Sequence, residues 1–301
     1  MTSTKGTSGL KLALRTSVVS GMTLISRILG LVRDIVFARY FGASMVMDAF
    51  LVAQRIPNML RRFFAEGAFS AGFIPVMARY REKHDHADAR EFVDAVSGTF
   101  GLVLFVVTLI GVIASPLLVL VVAPGFVGDG GDFDLAALML RFTFPYLLFV
   151  SLTAFAGGIL NTYGRFGVPA FTPVILNIVL IAAAVWVSPH LEQPVMALAY
   201  AILVAGICQL LFQLPFLARI HAFPRPIWAP KHKGVRRAFR LMVPAIFGSS
   251  VAQINVLLGG IIASLLPVGS ISYLYFSDRL MEFPLGLFGI ALATVTLPTL
   301  S

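Results

Sequence analysis

A single cysteine in 301 residues, Cys208 within an apolar run, excludes a disulfide scaffold and a cysteine-rich metal centre. Charge is nearly as scarce. Only 12% of residues are Asp, Glu, Lys or Arg, against 58% hydrophobic, too few to clothe a water-soluble globule. Histidine is thin and scattered: His84 and His86 lie in a charged stretch, and His190, His221 and His232 stand singly, so no metal site is expected. No Ser/His/Asp nucleophile set or phosphate-cradling glycine loop is present, and no cofactor is implied. Residues 1–15 are polar and basic without a short apolar core and cleavage site, so no cleavable signal is expected. The net charge of +9 comes from no basic face with interleaved aromatics, so nucleic acid is not an expected partner. What the chain has in quantity is Phe and Gly, 26 of each, in long apolar runs suited to close-packed membrane helices.

Eight stretches are long enough to cross a hydrocarbon core of about 30 Å. They are Leu14–Tyr40, Val46–Phe64, Phe92–Val122, Leu135–Leu160, Val168–Val187, Val195–Ala218, Phe239–Leu266 and Ser270–Leu297. A partly amphipathic segment through Pro75 follows the second, leading to the charged stretch Arg79–Arg90. Seventeen of the 23 Lys and Arg fall in 1–15, Arg61–Arg90, Arg165 and Arg219–Arg240. The opposite connections carry none, only Asp129, Asp132, Asp134 and Glu192. By the positive-inside rule, both chain ends are expected on the cytoplasmic side.

The remaining six basic residues, Arg27, Arg33, Arg39, Arg55, Arg141 and Arg279, lie inside the apolar stretches. A cation at the centre of a spanning helix costs about 2.5–3.5 kcal/mol on insertion scales, so such groups normally face protein or trapped water. Several together point to a hydrated, positive cavity for a ligand with a dense anionic head. In the first span Arg27 and Asp34 are seven residues apart and share a helical face, with Arg33 about a third of a turn round. An internal ion-pair network is the competing explanation. The second span offers Asp48, which could pair with Arg39, then Arg55 and the membrane-edge pair Arg61 and Arg62. Pro57 should free a carbonyl that only a cavity or a neighbouring helix can satisfy. In the eighth, Arg279 and Glu282 are i,i+3 partners, Asp278 and Glu282 stack at i,i+4, and Pro284, Gly286 and Gly289 permit bending. Gln253 and Asn255 either join helices or line the cavity, and the pair Gly157-Gly158 reads as a helix contact.

An offset of 224 residues aligns Gln54-Arg55-Ile56 with Asp278-Arg279-Leu280 and brings Pro75 within one residue of Pro298. A repeat at that spacing makes the unit six helices, two parallel lobes related about the membrane normal. The expected division is 1–223 as an N-terminal lobe with helices 1–6, and 224–301 as the start of a second lobe with helices 7–8. The chain stops at Ser301 directly after the eighth span, which reads as a truncation. The fold class is all-α polytopic membrane protein.

The run Ser26-Arg27-Ile28-Leu29-Gly30-Leu31-Val32-Arg33-Asp34 resembles the first helix of the MurJ (MviN) lipid II flippase family. Asp48-Ala49-Phe50, Pro57-Asn58-Met59-Leu60-Arg61-Arg62-Phe63-Phe64-Ala65-Glu66-Gly67 and Asp278-Arg279-Leu280-Met281-Glu282-Phe283-Pro284 are similar to that family too. The resemblance covers essentially the whole chain. It implies a bacterial inner-membrane transporter of the multidrug/oligosaccharidyl-lipid/polysaccharide exporter superfamily, with two six-helix lobes. It implies a substrate, the undecaprenyl-pyrophosphate-linked peptidoglycan precursor, moved to the outer leaflet by alternating access. Arg27, Arg33 and Arg279 match the family's cavity arginines, Arg55 takes a place where a basic residue is usual, and Asp34, Asp48, Arg61, Arg62 and Glu282 fall at motif positions. Together with Asp278, these acids and the Arg61-Arg62 pair are expected to gate or ion-pair. Coupling to the membrane potential or an ion gradient is the expected drive. Membrane lipids are expected contacts, and contacts with cell-wall synthesis proteins stay open. A related exporter of another lipid-linked oligosaccharide or of drugs is the alternative, followed by an intramembrane enzyme and a scaffold.

Overall fold

The computed structural model describes residues 3–63, 68–83, 86–128 and 132–282, and every regular element among them is helical. The helices are α1 Ser3–Tyr40, α2 Met45–Arg61, α3 Ala68–Lys83, α4 His86–Ile113, α5 Ser115–Val122, α6 Phe133–Thr143, α7 Tyr146–Thr162, α8 Gly167–Ala182, α9 Met196–Arg219 and α10 Lys233–Ser264. A further helix, α11, covers 270–282. Local chemistry sets the boundaries. Ser44 caps α2 by accepting from the Met47 N–H at 3.4 Å, and Asp132 caps α6 by accepting from the Leu135 N–H at 2.9 Å. The expected third span is two helices broken at Ala114 before Pro116, and the fourth breaks at Phe144-Pro145. Proline cannot donate the helical bond and crowds the preceding turn, which places both breaks.

Pro57 does not end α2, which runs on to Arg61. The carbonyl of Ala53, which Pro57 cannot serve, accepts instead from the Thr143 hydroxyl of α6 at 3.0 Å. The expectation that a neighbouring helix satisfies the freed carbonyl is met.

α1 lies along α8, α8 along α9, and α9 along α7, while α2 packs on α6 and α3 on α10. Buried apolar side chains form two clusters at opposite ends of the bundle. One gathers Phe37, Phe50, Met139, Leu147, Leu180 and Ile202 near the acidic connections. The other gathers Phe69, Phe73, Phe92, Phe100, Phe155 and Leu217 near the basic ones, with Phe73 stacked on Phe92 at 5.6 Å between ring centres. The crossover from α9 to α10 is strapped to α4: Asp94 accepts from the Arg225 N–H at 2.7 Å through its carboxylate and from the Ile227 N–H at 3.1 Å through its carbonyl. Gly98 faces the Ile227 backbone so closely that no Cβ would fit there.

The protein is a multi-pass membrane protein. Four helices are long and apolar enough to cross a bilayer, Ala87–Ile113, Phe133–Thr162, Gly167–His190 and Met196–Arg219, with a fifth if the pair Lys233–Gly248 and Gln253–Ser264, bent by 48°, is one span. Eight are expected from the sequence. α1 carries Arg27, Arg33, Asp34 and Arg39, α2 has 17 residues, and the eighth stretch is described only to 282. Large apolar side chains face outward along these helices, Ile113 at 71% and Phe247 at 73% exposed among them. Lipid is the solvent that such a surface suits. Pro284, Gly286, Gly289, Pro298 and Glu66 lie outside the described residues, and so do the side chains of His84 and His86.

Candidate functional site

α1, α2, α8 and α11 enclose a cavity of about 570 Å³. Its wall carries five arginines, Arg27, Arg33, Arg61, Arg62 and Arg279, and two carboxylates, Asp34 and Glu282, a formal net charge of +3. Two of the contributing segments adjoin the basic connections, 54–62 of α2 and 170–177 of α8, and 19–34 of α1 and 275–282 of α11 complete the wall. The expected convergence of guanidinium groups from separate helices is therefore present in the structure.

Arg33 and Asp34 form the buried floor, 8% and 6% exposed. Arg33 Nε and Nη2 donate to Asp34 Oδ1 at 2.9 and 2.7 Å, Nη2 also donates to the Tyr275 hydroxyl at 3.1 Å, and Nη1 donates to Asn177 Oδ1 at 3.1 Å. The Tyr275 hydroxyl donates to Asp34 Oδ1 at 2.9 Å, and Asn177 donates to the Ser26 carbonyl at 3.0 Å. Three helices thus meet on one ion pair. Burying a lone guanidinium costs several kcal/mol, so this degree of satisfaction is the condition for Arg33 being there at all.

Arg279 stands between two acids. Its Nε lies 3.8 Å from Asp34 Oδ2 and its Nη1 donates to Glu282 Oε2 at 3.0 Å, while its guanidinium lies 5.3 Å from the Tyr275 ring centre. Arg27 differs. It is exposed to the cavity, and among the described residues it has no hydrogen bond or ion pair. Asp34 therefore serves Arg33 and Arg279 rather than its face-mate Arg27. The reason is reach: the Arg33 side chain curls back to its neighbour, while Arg27 sits nearly two turns away.

Asp48, 4% exposed, accepts from the Gly269 N–H at 2.7 Å, the Ser272 N–H at 2.8 Å and the Ser272 hydroxyl at 2.5 Å. It holds the start of α11 by a charge-assisted cap. The expected pairing with Arg39 is replaced by this cap, and Arg39 is exposed. Nearby, the Gly125 N–H donates to the Ser264 hydroxyl at 3.3 Å.

Besides Asp48, two expected site residues lie off the cavity, Arg55 and Asp278. Arg55 is expected to bind substrate, but the cavity face of α2 carries Gln54 and Asn58, and Arg55, about 100° from the first and about 60° from the second, packs toward α10 instead. Its guanidinium packs onto Gly260, where a Cβ would collide with it, and its Nη1 is buried without a partner. The acid acting on it is Asp278, which is exposed and does not line the cavity either. Arg141 donates to the Ser115 hydroxyl at 3.1 Å. Gln253 is buried and Asn255 exposed, and neither lines the cavity. Sequence reasoning missed Asn177 and Tyr275. A lone amide opposite charged helices is the signal that points to Asn177.

Donors outnumber acceptors around this space, and no group of His, Cys, Asp and Glu suited to a metal occurs among the described residues. Such a chamber can hold a di- or trivalent anion by bidentate guanidinium contacts.

Comparison with known proteins agrees with the geometry. The family model described as "Lipid II flippase MurJ" matches residues 37–301. A probable lipid II flippase MurJ of Haemophilus influenzae is 51% identical over 287 residues, 93% of this chain and 56% of the relative. One from Vibrio cholerae is 51% identical over 291 residues, 94% of this chain and 55% of the relative. A solved lipid II flippase MurJ in an inward closed conformation is 31% identical, with a TM-score of 0.77 over 93% of this chain and 57% of that one. The chain spans about half the length of the curated relatives it matches.

Proposed function

This chain belongs to the lipid II flippase MurJ family, and from that premise we propose that the whole protein moves the undecaprenyl-pyrophosphate-linked peptidoglycan precursor across the bacterial inner membrane. It does so as a transporter, by alternating access, with no covalent step. The observation that carries the reading is the cavity of net charge +3 with Arg27, unpaired among the described residues, on its wall. Arg27 and Arg279 take the pyrophosphate oxygens. Arg33 is already neutralised by Asp34, and its part is to hold Asp34, Tyr275 and Asn177 in place beneath them. Arg61 and Arg62 draw the anion in from the cytoplasmic edge.

By the positive-inside rule the basic connections, and the N-terminus with them, read as cytoplasmic, which supports a cavity reached from that side. The Asp48 cap then closes the outer side, the arrangement of an inward-facing state. Residues 1–223 form the first lobe and 224–301 begin the second. Under the 224-residue offset the counterpart of Asp48 is Ser272, and these two residues hydrogen-bond to each other. A residue touching its own counterpart lies on the axis relating two lobes, which supports the division. Rocking about that axis would break the cap and expose the cavity outward. A potential negative inside favours outward passage of the anion by about 2.3 kcal/mol per charge per 100 mV, enough to bias release without a bound cofactor. Asp34 and Glu282 reclaim the arginines when the pyrophosphate leaves. Arg55, parked on Gly260 in this state, is free to turn inward when α10 and α2 separate.

Reconstitution of the whole protein in vesicles with labelled lipid II tests the proposal. Arg27→Ala should insert normally and lose translocation. Normal translocation by Arg27→Ala would end it.

A further inference from the structure

A second space of about 400 Å³ adjoins the arginine cavity, and Arg61, Pro173 and Leu176 belong to both walls. It lies among α7, α8 and α9, and its chemistry is the reverse of its neighbour's. Gln209 and Gln213, one turn apart on α9, are 3% and 1% exposed. Gln209 Nε2 donates at 3.0 Å to the Thr172 carbonyl, which can only accept. Gln213 Nε2 donates at 3.0 Å to the Thr172 hydroxyl, whose own proton goes to the Val168 carbonyl at 3.3 Å. The Gln209 amide is thereby fixed in orientation, because flipping it would set its oxygen against the Thr172 carbonyl, and the Gln213 amide is held by a Thr172 hydroxyl whose proton is committed to the Val168 carbonyl. Both Oε1 atoms are left buried without a partner.

Two orphaned acceptors one turn apart need a donor. Pro173 also withholds the helical N–H from the Pro169 carbonyl on the same wall. Among the described residues no carboxylate lines the space and Arg61 does, which disfavours a bare cation. Gly157 keeps the wall open beside Gln213: a Cβ there would stand 3.6 Å from Gln213 Oε1 and 3.2 Å from Pro169. The volume is within the range of about 300–1,000 Å³ usual for small-molecule pockets.

We propose that this side pocket takes the uncharged, hydroxyl- and amide-bearing part of the ligand's head group. Gln209 and Gln213 accept its hydrogen bonds while the pyrophosphate occupies the arginine cavity next door. The inference rests on the function proposed above. It assigns specificity to a place distinct from charge: the arginines select for an anion, and the amides select for what is attached to it.

Equilibrium binding to the whole protein separates the two ideas. The ligands are lipid II and undecaprenyl pyrophosphate, which lacks the sugar and peptide. The variants are Gln209→Met, Gln213→Met and Arg27→Ala. Each glutamine variant should weaken lipid II about tenfold and leave undecaprenyl pyrophosphate within about twofold, the second ligand reporting that the variant is folded. Arg27→Ala should weaken both. If it does and the glutamine variants change neither ligand, the amide oxygens are merely hydrated and the side pocket is not a subsite. If the glutamine variants weaken both ligands together in a sodium-dependent way, the pocket holds a cation and the inference is overturned. If Arg27→Ala changes neither, the function itself falls. In the unsubstituted protein, a lipid-free sugar-peptide head in excess should displace lipid II but leave undecaprenyl pyrophosphate bound. Failure to displace lipid II overturns the subsite even where the variants do not fold.

Discussion

Replacing Asp48 with Asn should open the outer end of the protein. The carboxylate accepts three bonds at 2.5–2.8 Å, all from the first residues of α11 or the turn before it. Hydrogen bonds to a charged group contribute about 1.5–3 kcal/mol each. The acid also faces the positive end of a helix dipole, which contributes about 0.3–1 kcal/mol more. Asparagine keeps one acceptor oxygen, loses the charge and turns an NH2 toward donors, so the loss is about 2–3 kcal/mol of seal. That corresponds to an outward-open fraction larger by about 30- to 150-fold. Ile271, 1% exposed beside the cap, can report it. With Cys208 replaced by Ala and Ile271 by Cys in the whole protein, a membrane-impermeant thiol reagent added outside should label slowly. Asp48→Asn should raise the labelling rate in proportion to the open fraction. An unchanged rate, in protein that still inserts and binds substrate, would refute the reasoning that this cap holds the outer end shut.

Three further outcomes follow from the packing. Asp34→Ala leaves Arg33 buried without its counter-charge and should lower stability by about 3–5 kcal/mol, read as a lower thermal unfolding midpoint. Gly260→Ala drives a methyl into the Arg55 guanidinium, the far end of a flexible side chain that can swing aside, and should destabilise this state by about 1 kcal/mol or less, with recovery when Arg55→Ala is added; no recovery would mean that the clash lies elsewhere. Thr143→Val strips the donor from the Ala53 carbonyl beside Pro57 and should lower stability by about 1–3 kcal/mol, whereas Thr143→Ser should behave as the unsubstituted protein in the same unfolding assay.

The helices were legible because apolar length and sharp punctuation agree. Gly42-Ala43-Ser44, Pro124-Gly125 and the connection 188–194 each separate runs that need lipid or protein around them, and α1, α2, α8 and α9 begin or end close to the expected bounds. The breaks at Ala114 and Pro145 were not read, since a proline in a long apolar run is compatible with either a kink or a stop. The site was legible in outline for one reason. Charges inside apolar helices are expensive, so Arg27, Arg33, Asp34, Arg279 and Glu282 announced themselves. The division of labour among them was not legible. It depends on Asn177 and Tyr275, which lie 144 and 242 residues from Arg33 and are unremarkable amide and phenol groups until the fold brings them together. Arg55 shows the same limit in reverse: its type and depth fit a cavity residue, but the helical angle that separates it from Gln54 and Asn58 turns it toward Gly260. Gln209 and Gln213 carried a signal, two amides at i,i+4 in an apolar span, whose meaning required seeing that Thr172 consumes their donors.

The most direct test of the charged cavity compares undecaprenyl pyrophosphate with uncharged undecaprenol binding to the whole protein at low and high salt. The pyrophosphate should bind at least about tenfold more tightly, lose that advantage in Arg27→Ala, and weaken as salt screens the arginines. Equal affinity for the two lipids, indifferent to salt and to Arg27, would contradict the account.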